Sequence, residues 1–138
     1  MGYEWKHYLC FAKKLLEDSV YTDSSTNYRV AISRAYYAAY HVASEFREKY
    51  NLPDGKVGAT HERLANAYKT MQRKDEAFQK ICHGIGNNLD RLRVCRCHAD
   101  YEGNWECTKD TAKKAVWNAD TIISSVEKLE NDYFRKVH

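Results

Sequence analysis

Ser33-Arg34-Ala35-Tyr36-Tyr37-Ala38-Ala39-Tyr40-His41 is the stretch that decides the fold of this chain. Ala31, Ala35, Ala38, Ala39 and Val42 follow helical spacing through it, so a second helix can approach closely along a seam of small side chains. Arg34 and His41 lie seven residues apart, hence two turns apart on one face beside that seam. The three tyrosines carry hydroxyls that need partners wherever they are buried. Packing alone requires neither a cation nor an imidazole there. Two readings stay open: Arg34 snorkels and His41 is a satisfied core histidine, or both belong to a site.

Outward from this helix the pattern predicts an all-α, antiparallel bundle of about five helices, a single domain over residues 1–138. The first helix spans about Glu4 to Asp18 and presents Trp5, Tyr8, Leu9, Ala12, Leu15 and Leu16 inward. Tyr21 to Ser25 reads as a polar connection with Ser24 or Ser25 as N-cap, and the second helix then runs to about Tyr50. Asn51-Leu52-Pro53-Asp54-Gly55 holds the only proline and breaks the chain. A short helix over about Thr60 to Gln72 and a long one over about Asp75 to His98 follow. Gly84 and Gly86 inside the latter mark a kink or a close crossing. After a loop around Gly103 and Asn104, Ala112, Ala115, Val116, Ala119, Ile122, Ile123, Val126 and Leu129 form the apolar stripe of the last helix.

Composition narrows the function classes. A 43% apolar and 30% charged chain of 138 residues can build a real core and is not disordered. It has no apolar run of about eighteen residues, so no membrane span is expected, and Met1 to Lys14 lacks the apolar stretch of a signal peptide. The expected location is the cytoplasm. A net charge of +3 does not by itself mark a nucleic-acid binder. Its distribution says more: from Arg91 to His98 there are three arginines and no acid, at a helix end. The helix dipole favours cations there, and a phosphate-binding patch is the competing explanation. Five cysteines, an odd number without a secretion signal, read as reduced thiols rather than a disulfide framework. Cys95-x-Cys97-His98 with Cys107 has one tight ligand pair but lacks the second that a structural zinc site uses, so neither metal nor cofactor is expected.

The phrase Ser-Arg-Ala-Tyr-Tyr-Ala-Ala-aromatic-His in a long second helix resembles the HEPN superfamily, small all-α domains of prokaryotic toxin–antitoxin and defence systems. Trp5-Lys6-His7-Tyr8-Leu9 with Ala12 and Leu15-Leu16 is similar to the family's first helix. Leu89-Asp90-Arg91-Leu92-Arg93-Val94-Cys95-Arg96-Cys97-His98-Ala99-Asp100-Tyr101 resembles its fourth-helix end, where Arg-x-x-Ala-Asp-Tyr recurs in one branch. The resemblance spans roughly residues 3–130.

It implies a metal-independent endoribonuclease built on an arginine, four to six residues, then a histidine, working on RNA at a homodimer interface. The RNA 2′-hydroxyl attacks its own phosphate, imidazole handles the proton and guanidinium holds the developing charge. The literal pattern occurs from Arg93 or Arg91 to His98, and again from Arg34 to His41. Aligning the Arg-x-x-Ala-Asp-Tyr ending instead places Arg96 on the family arginine and Tyr101 where the histidine stands. The resemblance therefore implies Arg96, Arg93 and His98 as catalytic residues, with Asp100, Tyr101 and Arg91 lining the site. Asp100 pairs with Arg96 or orients His98. Arg34 and His41 complete the cleft or brace the bundle. In one toxin group a tyrosine near the motif is nucleotidylated by a nucleotidyltransferase antitoxin, which makes Tyr101 the counterpart here. The alternative is a non-catalytic module that binds a nucleotide or such a partner.

Overall fold

The two longest helices of this chain start at carboxylates. The Asp23 side chain accepts from the backbone N–H of Ser25 at 3.0 Å, and Asp75 accepts from that of Phe78 at 3.1 Å. An ionised acceptor also complements the positive end of the helix dipole. The cap of the second helix is thus Asp23, and Ser24 is its first helical residue. The computed structural model describes residues 2–17, 23–55 and 58–135. Within them lie α1 (Lys6–Glu17), α2 (Ser24–Lys49), α3 (Thr60–Lys69), α4 (Glu76–Tyr101) and α5 (Lys109–Tyr133). Asp18, expected to end the first helix, and Tyr21 and Thr22 of the connection lie outside the described residues.

The cross-helix pairings show how the bundle runs. Lys6 pairs with Glu127 and Lys13 with Asp120, so α1 and α5 are antiparallel. Trp5 stacks on His41 while Tyr8 meets Arg34, which sets α1 antiparallel to α2. Asn118 bonds Asn88 and Tyr133 bonds Asp75, which does the same for α5 and α4. α2 touches each of the other four helices. Ala31, Ala35, Ala38, Ala39 and Ala43 along it are completely buried, whereas Val42 is only half-buried. In α1 Leu9 and Ala12 are buried, and Trp5, Tyr8, Leu15 and Leu16 sit half-buried around them. All eight apolar positions expected for α5 are buried.

Asn51, in the left-handed region at φ 55°, turns the chain out of α2, and Arg47 donates to the carbonyl of Leu52 at 2.9 Å. α3 stops at Lys69, earlier than expected. Thr70 folds its hydroxyl back onto the Asn66 carbonyl, leaving Met71 buried beyond the helix. α4 passes through both glycines as one helix. Gly84 faces open space. Gly86 is where α3 crosses: a Cβ there would lie 2.6 Å from the Lys69 nitrogen and 2.7 Å from the Ala65 oxygen.

α4 also runs three residues beyond the expected end at His98. Arg29 of α2 donates to the carbonyls of His98, Ala99, Glu102, Gly103 and Trp105, at 2.6 to 3.4 Å. One guanidinium thereby ties two last-turn carbonyls of α4 to three carbonyls of the loop that follows. Asp100 and Tyr101 consequently belong to the last turn of α4.

The two glycines separate cleanly by mutation. Gly86→Ala forces a methyl against α3 backbone and is expected to lower unfolding stability by about 1–3 kcal/mol. Gly84→Ala fills empty space in a helix and is expected to raise it by roughly 0.5–1 kcal/mol. Urea denaturation of both variants checks the pair.

Candidate functional site

At about 100° per residue, Arg93, Arg96 and Asp100 fall on one side of α4, while Arg91 and His98 fall together on another. The structure divides the expected site along that line. Arg96 is only 6% exposed, packed between α4 and the tyrosines of α2. Its guanidinium carbon lies 5.1 Å from the Tyr36 ring, 5.4 Å from Tyr37 and 5.7 Å from Tyr101. Its polar partners are distant: Asp100 at 3.6 Å and the Tyr101 hydroxyl at 3.5 Å. Its Nε is buried without a hydrogen-bond partner among the described residues, as is that of Arg93. Arg93, half-buried one turn earlier, donates to Asp90 at 2.9 Å and approaches Glu62 at 3.9 Å. Asp90 is shared with Lys69, also at 2.9 Å. Hydrogen bonds from Lys69 and Arg93 hold the Asp90 carboxyl below its usual range.

Asp100 accepts from the Ser33 hydroxyl at 3.2 Å, and Arg34 donates to that hydroxyl at 3.1 Å. Arg34 also lies over the Tyr37 ring at 5.4 Å and over Tyr8 at 5.2 Å. Tyr37 thus meets two guanidiniums, and Arg34 joins the cluster while bracing α1. His41 does the bracing alone: its ring stacks on Trp5 at 3.6 Å, and burial lowers its pKa. Of the two open readings, Asp100 takes the pairing with Arg96.

His98 stands apart from this cluster. Its Nδ1 meets the Glu102 carboxylate at 2.5 Å and its ring stacks on Trp105 with centroids 5.4 Å apart. It shares none of these side-chain partners with Arg96. Arg91 is exposed. Cys95, Cys97, His98 and Cys107 do not converge, and among the described residues no group of three or more metal-ligating side chains does. Burial pushes the Cys95 thiol up to about 11, so it stays protonated at neutral pH.

The imidazole that shares ring neighbours with Arg96 comes from α3. His61 Nδ1 is 2.7 Å from the Tyr36 hydroxyl, and its ring contacts Tyr40 at 4.6 Å, Tyr36 at 5.5 Å and Tyr37 at 6.0 Å. Burial lowers its pKa, and Arg96, Arg93 and His41 push in the same direction. Tyr36 is itself buried and its phenol is raised by that burial, against the pull of Arg96. Nothing local in the sequence singles out His61 or Arg29, because their partners lie 25 and about 70 residues away.

Two open depressions flank Asp100. One of about 290 Å³ is lined by Val30, Ser33 and Arg34, and one of about 710 Å³ by Tyr101, Gly103, Trp105 and Glu106, with Thr26 and Arg29 common to both. A further groove of about 400 Å³ between the start of α1, α2 and α5 carries the carboxylates of Glu4, Glu45, Glu127 and Glu130 beside Lys6 and Lys49. Its acidic wall disfavours a phosphate, whereas the arginine cluster favours one.

Fold and site together define an all-α module with a cluster of arginines packed on tyrosine rings between α2 and α4. The chain belongs to the HEPN family: the HEPN domain model matches residues 5–129. That membership makes it a nucleotide-binding or RNase-type module. No curated protein matches the chain. Among the described residues no helix is long and apolar enough to cross a membrane.

The two lowered histidines fix the sign of one pH effect. His41 and His61 titrate below 6.5 when folded, so on acidification the unfolded chain takes up protons that the folded chain refuses. Their contribution to stability is fully present above about pH 6.5 and is lost as pH falls below it. Denaturant midpoints measured from about pH 7 to about pH 5.5 are expected to decrease, with a shallower slope in a His41→Gln/His61→Gln variant.

Proposed function

We propose that this domain is a metal-independent endoribonuclease that cuts RNA as a homodimer, acting as a toxin or defence effector. The observation that carries the reading is the pair Arg93 and Arg96: two guanidiniums one turn apart, each with an unpartnered Nε, the second of them lying over the Tyr36 and Tyr37 rings. A fixed cation pair suits a phosphorane, whose added negative charge exists only as the 2′-oxygen attacks. Arg96 and Arg93 hold that phosphate. Asp100 keeps Arg96 in place, and the exposed Tyr101 offers a ring face to a base. Arg34, joined through Ser33, extends the positive strip along the next phosphate. Val30, Val94 and Tyr101 are exposed on α2 and α4, and a second copy covering them would close the cleft.

The position of His98 favours a second reading. With its imidazole engaged by Glu102 and Trp105, the expected arginine–histidine pair is not assembled within one chain. On this reading the cleft is a non-catalytic site for a nucleotide or for a partner nucleotidyltransferase that would modify Tyr101.

Incubation of the purified protein with end-labelled RNA, with and without EDTA, separates the two. The expected result is cleavage unaffected by EDTA and reduced at least about 100-fold in Arg93→Gln/Arg96→Lys, with the thermal midpoint of Arg93→Gln alone lowered by only a few degrees. A folded protein that carries a co-purified nucleotide and cuts nothing would establish the second reading instead.

A further inference from the structure

We infer that His61, on α3, is the catalytic imidazole of this cleft, taking the proton of the 2′-hydroxyl of an RNA strand whose phosphate rests on Arg93 and Arg96. The inference rests on the endoribonuclease reading and assigns to a different helix the role that spacing alone gives to His98.

A general base needs a free lone pair, an orienting partner and a place beside the group that binds the phosphate. His61 meets each condition. Its Nδ1 is fixed by the Tyr36 hydroxyl at 2.7 Å, and Tyr36 is held by the core at 1% exposure. If the hydroxyl oxygen accepts from Nδ1–H, the bond persists in both protonation states and leaves Nε2 free to gain and lose a proton. The rings of Tyr36 and Tyr37 contact both His61 and the Arg96 guanidinium, so imidazole and guanidinium share the same two aromatic neighbours. His61 and Arg93 are both half-buried, so each keeps part of its side chain open to solvent.

The charges around His61 suit a base. Tyr36, Tyr37, Tyr40 and His41 face it from α2, Arg93 and Arg96 from α4, and Glu62 beside it on α3 is directed to Arg93. With cations and neutral rings around it, the imidazole is neutral at neutral pH. An arriving phosphate dianion or phosphorane reverses that balance and favours imidazolium. The step balances: the O2′–P bond forms, the P–O5′ bond breaks, and the 2′ proton passes to Nε2. The departing 5′-oxygen takes a proton from water, and the imidazolium returns its own to solvent. The products are a 2′,3′-cyclic phosphate and a 5′-hydroxyl.

Three measurements on the full chain decide it: RNA cleavage by wild type, His61→Gln and His98→Gln; the pH–rate profile; and the His61 ring titration by NMR with and without uridine 3′-phosphate. The expected result is a loss of at least about 100-fold in His61→Gln, an acid limb in the wild-type profile that matches the ring titration, and an upward shift of that titration on adding the nucleotide. Full cleavage by His61→Gln, or loss confined to His98→Gln, overturns the assignment while the endoribonuclease reading stands. Absence of wild-type cleavage overturns the endoribonuclease reading and the base role. The titration, made on unmutated protein, then shows whether His61 is a phosphate contact: a shift retains it, and no shift removes that too.

Discussion

The site depends on how near α2 lets its neighbours come. Ala31, Ala35, Ala38, Ala39 and Ala43 leave no side chain beyond Cβ on the buried seam, so α1, α4 and α5 pack almost onto its backbone. The same helix sends out Tyr36 and Tyr37, and the close approach brings their faces within 5.1–5.4 Å of the Arg96 guanidinium. A larger side chain on the seam would do more than add the usual overpacking strain of about 1–3 kcal/mol. It would move α4 outward and take Arg96 off its rings. Fold and cleft are one constraint here.

Arg96 and Arg29 show two different uses of a guanidinium. Arg29 has five carbonyl acceptors and is fully engaged in holding the end of α4. Arg96 is nearly as deep as the core, yet its carboxylate partner stands at 3.6 Å and its Nε is unpaired. Ring faces return only about 0.5–2 kcal/mol each against a desolvation cost of several. For packing alone, an apolar side chain would fit that place better. A buried cation left under-satisfied is a feature that packing does not account for, and the proposed phosphate contact is what it would serve.

Much of the fold is legible because helices are local. Period and breaks locate all five, and the small-residue phrase at 33–41 identifies the central one. The errors fall where a distant residue intervenes. The end of α4 depends on Arg29, and the stop of α3 on burial of Met71. At the site, spacing in the chain is linear but facing on a helix is angular. Arg93 and His98 satisfy a count of intervening residues and still look in different directions. The Arg-x-x-Ala-Asp-Tyr ending singles out Arg96, because that pattern carries the facing implicitly. No comparable pattern contains His61.

That absence follows from how α3 is held. It packs against α4 and touches α2 lightly, and its N-cap, Ala59, provides no side-chain acceptor. Its placement therefore relies on long-range contacts: the Gly86 crossing, the Lys69–Asp90 pair and the His61–Tyr36 hydrogen bond. Asp90 and Glu62 also hold Arg93, so the ion pairs that dock α3 on α4 orient one of the two cleft guanidiniums. The imidazole and the arginines are thus tied through the same few bonds, although they lie on different helices. A histidine on α4 itself would gain its register from one helix but could not meet the faces of Tyr36 and Tyr37 from the direction of α3. One on α3 can, because the glycine at the crossing lets the two backbones meet.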